Sequence, residues 1–210
     1  MPKPRGRLSR LALTTLGSLT LVVLIGLARW LMLAPTEETE PMSYTGTADA
    51  EVDADRFTVT VDEIEFAHDL QGAATFDEGG ESFAADGVWL VVRTTVTATT
   101  EPIHLSDPVL LESGDGHTYA AVTEVQPGLN PQLNPGIPSE QFHAFEVSED
   151  RLSEPTLRLT AGELDTRLSA EAVVDLQLND AELADRIAAA VDEAVIEPEN
   201  LGEEVDESDA

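Results

Sequence analysis

Apolar and polar residues alternate along the middle of the chain. Phe57, Val59 and Val61 are separated by polar residues, which is the period-two pattern of a half-buried strand. Residues 88–98, VWLVVRTTVTA, form the strongest predicted strand because β-branched residues dominate them. Strands and helices do not alternate, so the pattern predicts a mainly β fold. We expect one antiparallel β-sandwich over residues 55–179, with further strands at 109–112, 118–122, 141–148, 156–161 and 170–178.

Turn residues predict the connections. Residues 113–116, Ser-Gly-Asp-Gly, indicate a hairpin turn, because Gly and Asp tolerate the positive φ that it requires. Residues 126–138 carry several Pro and Gly residues and predict a long braced loop. Residues 67–86, rich in glycine and acids, predict a mobile loop or an irregular edge. Residues 35–54 have little to bury and predict a solvated linker.

The N-terminal part departs from this period. Residues 11–28 are uncharged and apolar, and as a helix they span roughly 27 Å, close to the hydrocarbon thickness of a bilayer. We predict a transmembrane helix over 11–34, with Arg29 and Trp30 at the membrane interface. A cleaved signal peptide is the alternative. The apolar stretch is longer than the usual signal core, however, and no clear cleavage site follows it.

The C-terminal part of the chain also departs from the period-two pattern. Over residues 180–196, apolar residues recur every four positions and predict an amphipathic helix. The stripe either packs on the sandwich or binds a groove of a partner protein. Its acidic polar face disfavours binding to a membrane surface. Residues 197–210 are predicted to be a disordered acidic tail. The candidate partner-binding residues of the stripe are Leu183, Ile187, Val191 and Val195.

Charge adds an orientation to this picture. The formal net charge is −30, yet residues 1–34 carry five cations and no acid. Residues 35–210 carry six arginines against all 41 acids. The positive-inside rule therefore places the basic segment 1–10 in the cytoplasm and the C-terminal domain outside the cell. The excess of acids excludes nucleic acid as a partner, and the absence of cysteine excludes disulfides, thiolate metal sites and a cysteine nucleophile.

No motif indicates catalysis or a bound cofactor. The chain has no HExxH motif, no short His-x-His pair and no Gly-x-Ser-x-Gly elbow. We therefore expect no cofactor, no metal site and no catalytic residue. Structural or surface roles are expected for all four histidines, His68, His104, His117 and His143.

Calcium has weak support in the sequence. Glu51, Asp53 and Asp55 fit positions 1, 3 and 5 of a calcium loop, but Arg56 stands at position 6, where the loop needs Gly. An EF-hand is therefore disfavoured. Loose binding of calcium by clustered acids remains a separate hypothesis, with the candidates Asp77, Glu78 and Glu81.

The order of turns resembles a known family. Asp115-Gly116 precedes Tyr119, a Pro-Gly loop follows at 134–136, and Phe145-Glu146-Val147 lies in the next strand. This order is similar to the uncharacterised extracellular immunoglobulin-like domains of Gram-positive bacteria, the immunoprotective or telokin-like group. The resemblance covers about 60% of the chain and departs from the family at Thr99-Thr100, where an Asn is frequent. It implies an immunoglobulin-like fold and an exported location, and no functional residue.

Together these features predict a membrane-anchored, extracytoplasmic, immunoglobulin-like binding module of the cell envelope, without catalysis. Its expected partners are the membrane itself and an envelope or membrane protein. One alternative is a hydrolase of envelope polymers with its site in loops 67–86 or 123–140. Another is an acidic structural surface protein, whose carboxylates keep it hydrated at high salt.

Overall fold

The computed structural model describes residues 20–24, 27, 40–72, 82–123, 125, 131–162 and 168–196. The chain divides into two units, Met1–Glu40 and Pro41–Ala210. In the first unit, residues 20–24 and 27 are helical. The helices formed by described residues are all too short or too polar to cross a membrane. Most of the predicted span 11–34, the basic segment 1–10 and the tail 197–210 lie outside the described residues.

The second unit is a β-sandwich of two sheets. Sheet A has the strand order β1-β9-β8-β5-β6, and sheet B has the order β10-β3-β4-β7, with the short β2 paired to β3. The strands are β1 (Met42–Thr47), β2 (Val52–Asp53), β3 (Phe57–Gln71), β4 (Ser82–Ala98), β5 (Leu110–Glu112), β6 (Thr118–Ala120), β7 (Ser139–Val147), β8 (Thr156–Thr160), β9 (Ala170–Asp175) and β10 (Val191–Val195).

The core lies between the sheets because their strands alternate. On β4, Val88, Leu90, Val92 and Val96 point inward and are fully buried. They face side chains of sheet A, among them Leu111, Leu157, Leu159 and Val174. The strands predicted at 109–112, 118–122, 141–148, 156–161 and 170–178 are confirmed to within three residues at each end, and the strand predicted at 88–98 is confirmed but begins six residues earlier, at Ser82.

The predicted hairpin turn at 113–116 is also confirmed. It joins the antiparallel strands β5 and β6, and the Gly116 N–H donates to the Ser113 carbonyl at 2.8 Å. Gly116 has φ 82°, a conformation that only glycine adopts without strain. The Asp115 carboxylate accepts the His117 N–H at 2.9 Å, and this bond lowers the pKa of Asp115.

The prediction of a purely antiparallel sandwich is wrong at two edges. β1 pairs parallel with β9, and β10 pairs parallel with β3. Both edge strands lie outside the predicted domain 55–179, one before it and one after it. Parallel partners are far apart in sequence, and no local turn indicates the pairing.

The solvated linker predicted at 35–54 is wrong from residue 42 onward. β1 and β2 occupy this segment, and Val52 and Ala54 are buried in the core. Gly46 allows the close approach of β1, since a Cβ there would lie 2.4 Å from Val52 Cγ2. The segment is held mainly by main-chain pairing to β9, which its polar composition does not reveal.

The loop predicted at 67–86 is largely strand. β3 continues to Gln71 and β4 begins at Ser82, so the two strands form one long hairpin around residues 73–81, which are not described. Apolar residues among the acids stabilise it, because they join a second cluster on the outer face of sheet B. That cluster contains Ala67, Leu70, Trp89, Val91, Val125, Phe142, Ala144, Ala194 and Ile196, with Phe83, Ala85 and Val122 at its margin.

The C-terminal helix is shorter than predicted. Helix α1 (Asp180–Ala188) begins with a capping box, in which Asn179 accepts the Glu182 N–H and the Glu182 carboxylate accepts the Asn179 N–H. The helix predicted over 180–196 ends at Ala188. The β-branched residues that follow favour a strand, and pairing with β3 stabilises it as β10.

Candidate interaction surfaces

The structure separates the four predicted partner-binding residues into two pairs. Leu183 is buried in the core, and Ile187 is half-buried against it, so the helix packs on the sandwich. Val191 and Val195 lie on β10 and are exposed, at 40% and 49%. The prediction of one apolar stripe on a single helix is therefore wrong, because the helix ends at Ala188 and the second pair lies on a strand.

β10 is the edge strand of sheet B. It pairs with β3 on one side, and among the described residues no strand pairs with its other side. Ala194 and Ile196 are buried in the outer cluster of sheet B and hold the strand in place. The Ile196 N–H donates to the Gln71 carbonyl at 3.0 Å. We call the unpaired side of Val191–Val195 the β10 edge.

The outer face of sheet A carries a charged network that the sequence analysis missed. The Arg158 guanidinium on β8 contacts Glu112 at 2.8 Å and Glu171 at 2.8 Å. Glu171 also accepts hydrogen bonds from the hydroxyls of Ser43, at 2.6 Å, and Thr160, at 3.3 Å. Glu171 is buried although it lies on an outer face, and its hydrogen bonds compensate for the loss of water.

The positive charge of Arg158 is paired within this network. Burial opposes the charge on Arg158, but its hydrogen bonds to Glu171 and Glu112 raise the pKa of the guanidinium above its ordinary value. With two carboxylates around one cation, the network has no positive charge to offer a ligand. The alternation in TLRLT could have placed Arg158 on an outer face, but its partners are set by strand pairing.

An open cleft of about 680 Å³ lies beside the network. It is bounded by the ends of β1, β8 and β9, with Glu154 and Asp175 as its charged residues. Glu154 and Gln177 line it with positive φ values of 39° and 56°. A smaller cleft of about 350 Å³ lies between α1 and residues 149–153. Both are open to solvent and lined by polar and apolar residues together, and neither is the enclosed, mainly apolar pocket that is typical of small-molecule sites.

Three of the four histidines lie at or near the surface. His68 and His117 are exposed, and His104 is half-buried. The His117 ring makes an edge contact with Tyr119, with ring centroids 4.6 Å apart. This ring contact is not a nucleophile–base arrangement.

His143 is the exception, because it lies in the core between the sheets. It is 6% exposed, and its Nε2 is 3.2 Å from the Thr94 hydroxyl, which is fully buried. Burial lowers the pKa of His143 to about 4, so the ring is neutral at pH 7. Its alternation with Phe145 and Val147 was the available signal, since all three share the inward face of β7.

The calcium candidates do not come together in the described residues. No group of three or more acids or histidines there could hold a metal ion. Asp53 instead accepts the N–H of Asp55 at 2.9 Å, next to the short strand β2. Asp77, Glu78 and Glu81 lie outside the described residues. Of the proposed hydrolase loops, 67–71 and 82–86 belong to strands, and parts of 123–140 are not described.

Comparison with known proteins gives two similar structures. An uncharacterised β-sandwich protein of Clostridium difficile 630 matches at TM-score 0.39 and 12% identity, over 66% of this chain and 97% of its own. The secreted protein MPT63 of Mycobacterium tuberculosis matches at TM-score 0.39 and 14% identity, over 64% of this chain and 98% of its own. At this level the matches assign neither a location nor an activity to this chain. No family model and no curated protein matches it.

Proposed function

We propose that the chain is a single-pass membrane protein that presents a non-catalytic, immunoglobulin-like binding module outside the cell. The observation that carries the binding function is the β10 edge, with Val191 and Val195 exposed on an otherwise acidic surface. Edge strands that expose apolar residues are favoured sites for association with another chain.

The strand order supports an immunoglobulin-like topology. In sheet B, β3, β4 and β7 are adjacent in the order of strands A, B and E of that fold. In sheet A, β9, β8, β5 and β6 follow the order G, F, C and C′. β1 and β10 are additions at the edges.

The N-terminal unit supports the anchor. Its described side chains Leu21, Val22, Val23, Leu24 and Leu27 are between 49% and 65% exposed. A helix that exposes apolar residues around its whole circumference is unfavourable in water and favourable in lipid. The four cations of residues 1–10 support a cytoplasmic N-terminus.

A co-purification experiment tests the binding function. Full-length protein with a C-terminal tag is crosslinked in intact cells, solubilised in detergent and purified. We expect one protein in stoichiometric amount, and much less of it with Val191→Ser/Val195→Ser. Ile137→Ser is the control, since Ile137 is 59% exposed and lies away from β10. Absence of any stoichiometric partner would contradict the proposal.

Fractionation tests the anchor and its orientation. The C-terminal tag should sediment with membranes and be removed by protease added to whole cells or protoplasts. Release of the tagged chain into the medium would contradict a retained anchor, and a protected tag would contradict the orientation.

A further inference from the structure

Within the part of the chain that the structure describes, the main chain of β10 is paired on one side only, to β3. In a parallel ladder, alternate residues bond to the neighbour on each side. The Ile196 N–H donates to Gln71, and the register pairs Val195 with Gln71 and Glu193 with Asp69. The N–H and C=O groups of Glu193 and Val195 therefore point away from β3. Such groups are a template for adding a strand.

The acidic residues of β10 favour a particular kind of partner strand. Asp192 and Glu193 are exposed in the middle of β10, and β10 has no cation. The described arginines nearest in sequence are engaged elsewhere: Arg186 donates to the Ile64 carbonyl at 3.2 Å, and Arg158 to its two glutamates. Because Asp192 and Glu193 point to opposite faces of β10, a strand that brings lysine or arginine opposite Asp192 gains a cross-strand ion pair and still places apolar residues opposite Val191 and Val195.

The same charge disfavours other copies of this chain. Pairing β10 with β10 of a second copy places acids near acids, which is destabilising. The fourteen residues after Ile196 contain seven acids and no cation, so they are disfavoured as occupants too.

We propose that the β10 edge binds an extended segment of a partner protein in which apolar and basic residues alternate, by addition of that segment as a strand. Main-chain hydrogen bonds to Glu193 and Val195 supply the docking. Val191 and Val195, on one face of β10, contact the apolar side chains of the segment, and Asp192, on the opposite face, contacts its cations. This inference rests on the proposed binding function and names its partner class.

Peptide binding to the full-length protein in detergent tests it. The probe is a fluorescent peptide of alternating valine and lysine, measured by anisotropy. Its control is the same peptide with alternate backbone nitrogens methylated, which keeps the charge and removes the strand-forming N–H groups. We expect the control to bind at least about tenfold more weakly. Equal binding of the two peptides would overturn the proposal, because attraction by charge alone would then explain it.

Two variants sharpen the test. Val195→Pro removes one outward N–H and leaves the Ile196–Gln71 bond, so we expect about tenfold weaker peptide binding at an unchanged melting temperature. Asp192→Lys, which changes the acid on the face that meets the cations, should weaken binding of the basic peptide by a similar factor. Unchanged affinity in either folded variant would contradict strand addition or charge selection, respectively.

The experiments distinguish failure of the edge proposal from failure of the proposed function. If the crosslinked partner is captured equally by wild type and Val195→Pro, the module stands and the edge proposal fails. If no partner is captured at all, the proposed function itself fails. Dimerisation of the purified protein that Val195→Pro abolishes would identify a second copy as the occupant and overturn the proposal.

Discussion

The outer faces of the two sheets differ in what covers them. On sheet B, Trp89, Val91 and Phe142 are covered by Ala194 and Ile196 and by residues around Val122, which together form a second apolar cluster. On sheet A, the outer face is polar and centres on Arg158 and the buried Glu171. We call the outer face of sheet B, which apolar residues cover, the dry face. We call the polar outer face of sheet A the hydrated face.

This difference explains two sequence patterns. The run VWLVV in β4 is continuously apolar because both of its faces are covered, whereas TLRLT in β8 alternates because only one face is. The apolar outer face of sheet B also accounts for the position of β10. Ala194 and Ile196 complete the cover of sheet B, and the strand that carries them becomes the new edge.

The largest effect is expected on the dry face. Trp89→Ala removes a nearly fully buried ring and its hydrogen bond to the Phe83 carbonyl, at 2.9 Å. We expect the free energy of unfolding to fall by about 3–5 kcal/mol. Denaturant titration followed by circular dichroism measures it. A loss below about 1 kcal/mol would mean that the outer cluster is not a packed core.

The interior between the sheets should respond to pH. His143 has a folded pKa of about 4, below the ordinary value of 6.5, so the unfolded chain takes up the proton first as pH falls. Its stability contribution is complete above pH 6.5 and is lost toward pH 4. Between pH 7 and pH 4.5 we expect a loss of about 2 kcal/mol.

Variants isolate this effect from the titration of carboxylates. Thr94→Val/His143→Leu removes both hydrogen-bonding side chains and should abolish that part of the pH dependence. His68→Gln, at an exposed position on β3, should retain it. Identical pH profiles for all three proteins would show that His143 does not titrate with folding.

The hydrated face should respond to a broken ion pair. Glu171→Leu leaves Arg158 with one of its two carboxylates, and we expect a loss of about 2 kcal/mol. Glu171→Leu/Arg158→Leu should lose less, because no unpaired charge is left. Additive losses in the double variant would contradict coupling between the two side chains.

The smallest effect is expected from the same change, valine to alanine, made on each outer face. Val91 lies under the apolar cover of sheet B, and Val173 is half-buried beside the cleft of sheet A. We expect a loss of about 1 kcal/mol for the first and less than half of that for the second. Equal losses in thermal denaturation would contradict the distinction between a dry and a hydrated face.

Local patterns predicted the central strands and the turn at 113–116 because each depends on nearby residues. The β-branched run at 88–98 favours a strand, and Gly116 supplies the positive φ of the turn. The edges could not be predicted in this way. β1 is stabilised by main-chain bonds to β9, more than 120 residues away, and its polar sequence is typical of a linker.

The sequence indicated Val191 and Val195 as candidates for partner binding, but it predicted them on a helix, and the structure has them on a strand. Val191 and Val195 continue the helical spacing of Leu183 and Ile187, so the sequence is compatible with one stripe. Burial of Ala194 and Ile196 against sheet B favours a strand, and that contact depends on the folded hairpin β3–β4. Tertiary packing therefore outweighed local periodicity.

Amide hydrogen exchange tests the central claim, an open β10 edge that accepts a strand, most directly. In the free protein the Val195 amide should exchange rapidly and the Ile196 amide slowly, because only the second is bonded to β3. Adding the alternating valine–lysine peptide should protect Val195. Slow exchange at Val195 in the free protein, or no change on adding the peptide, would contradict the claim.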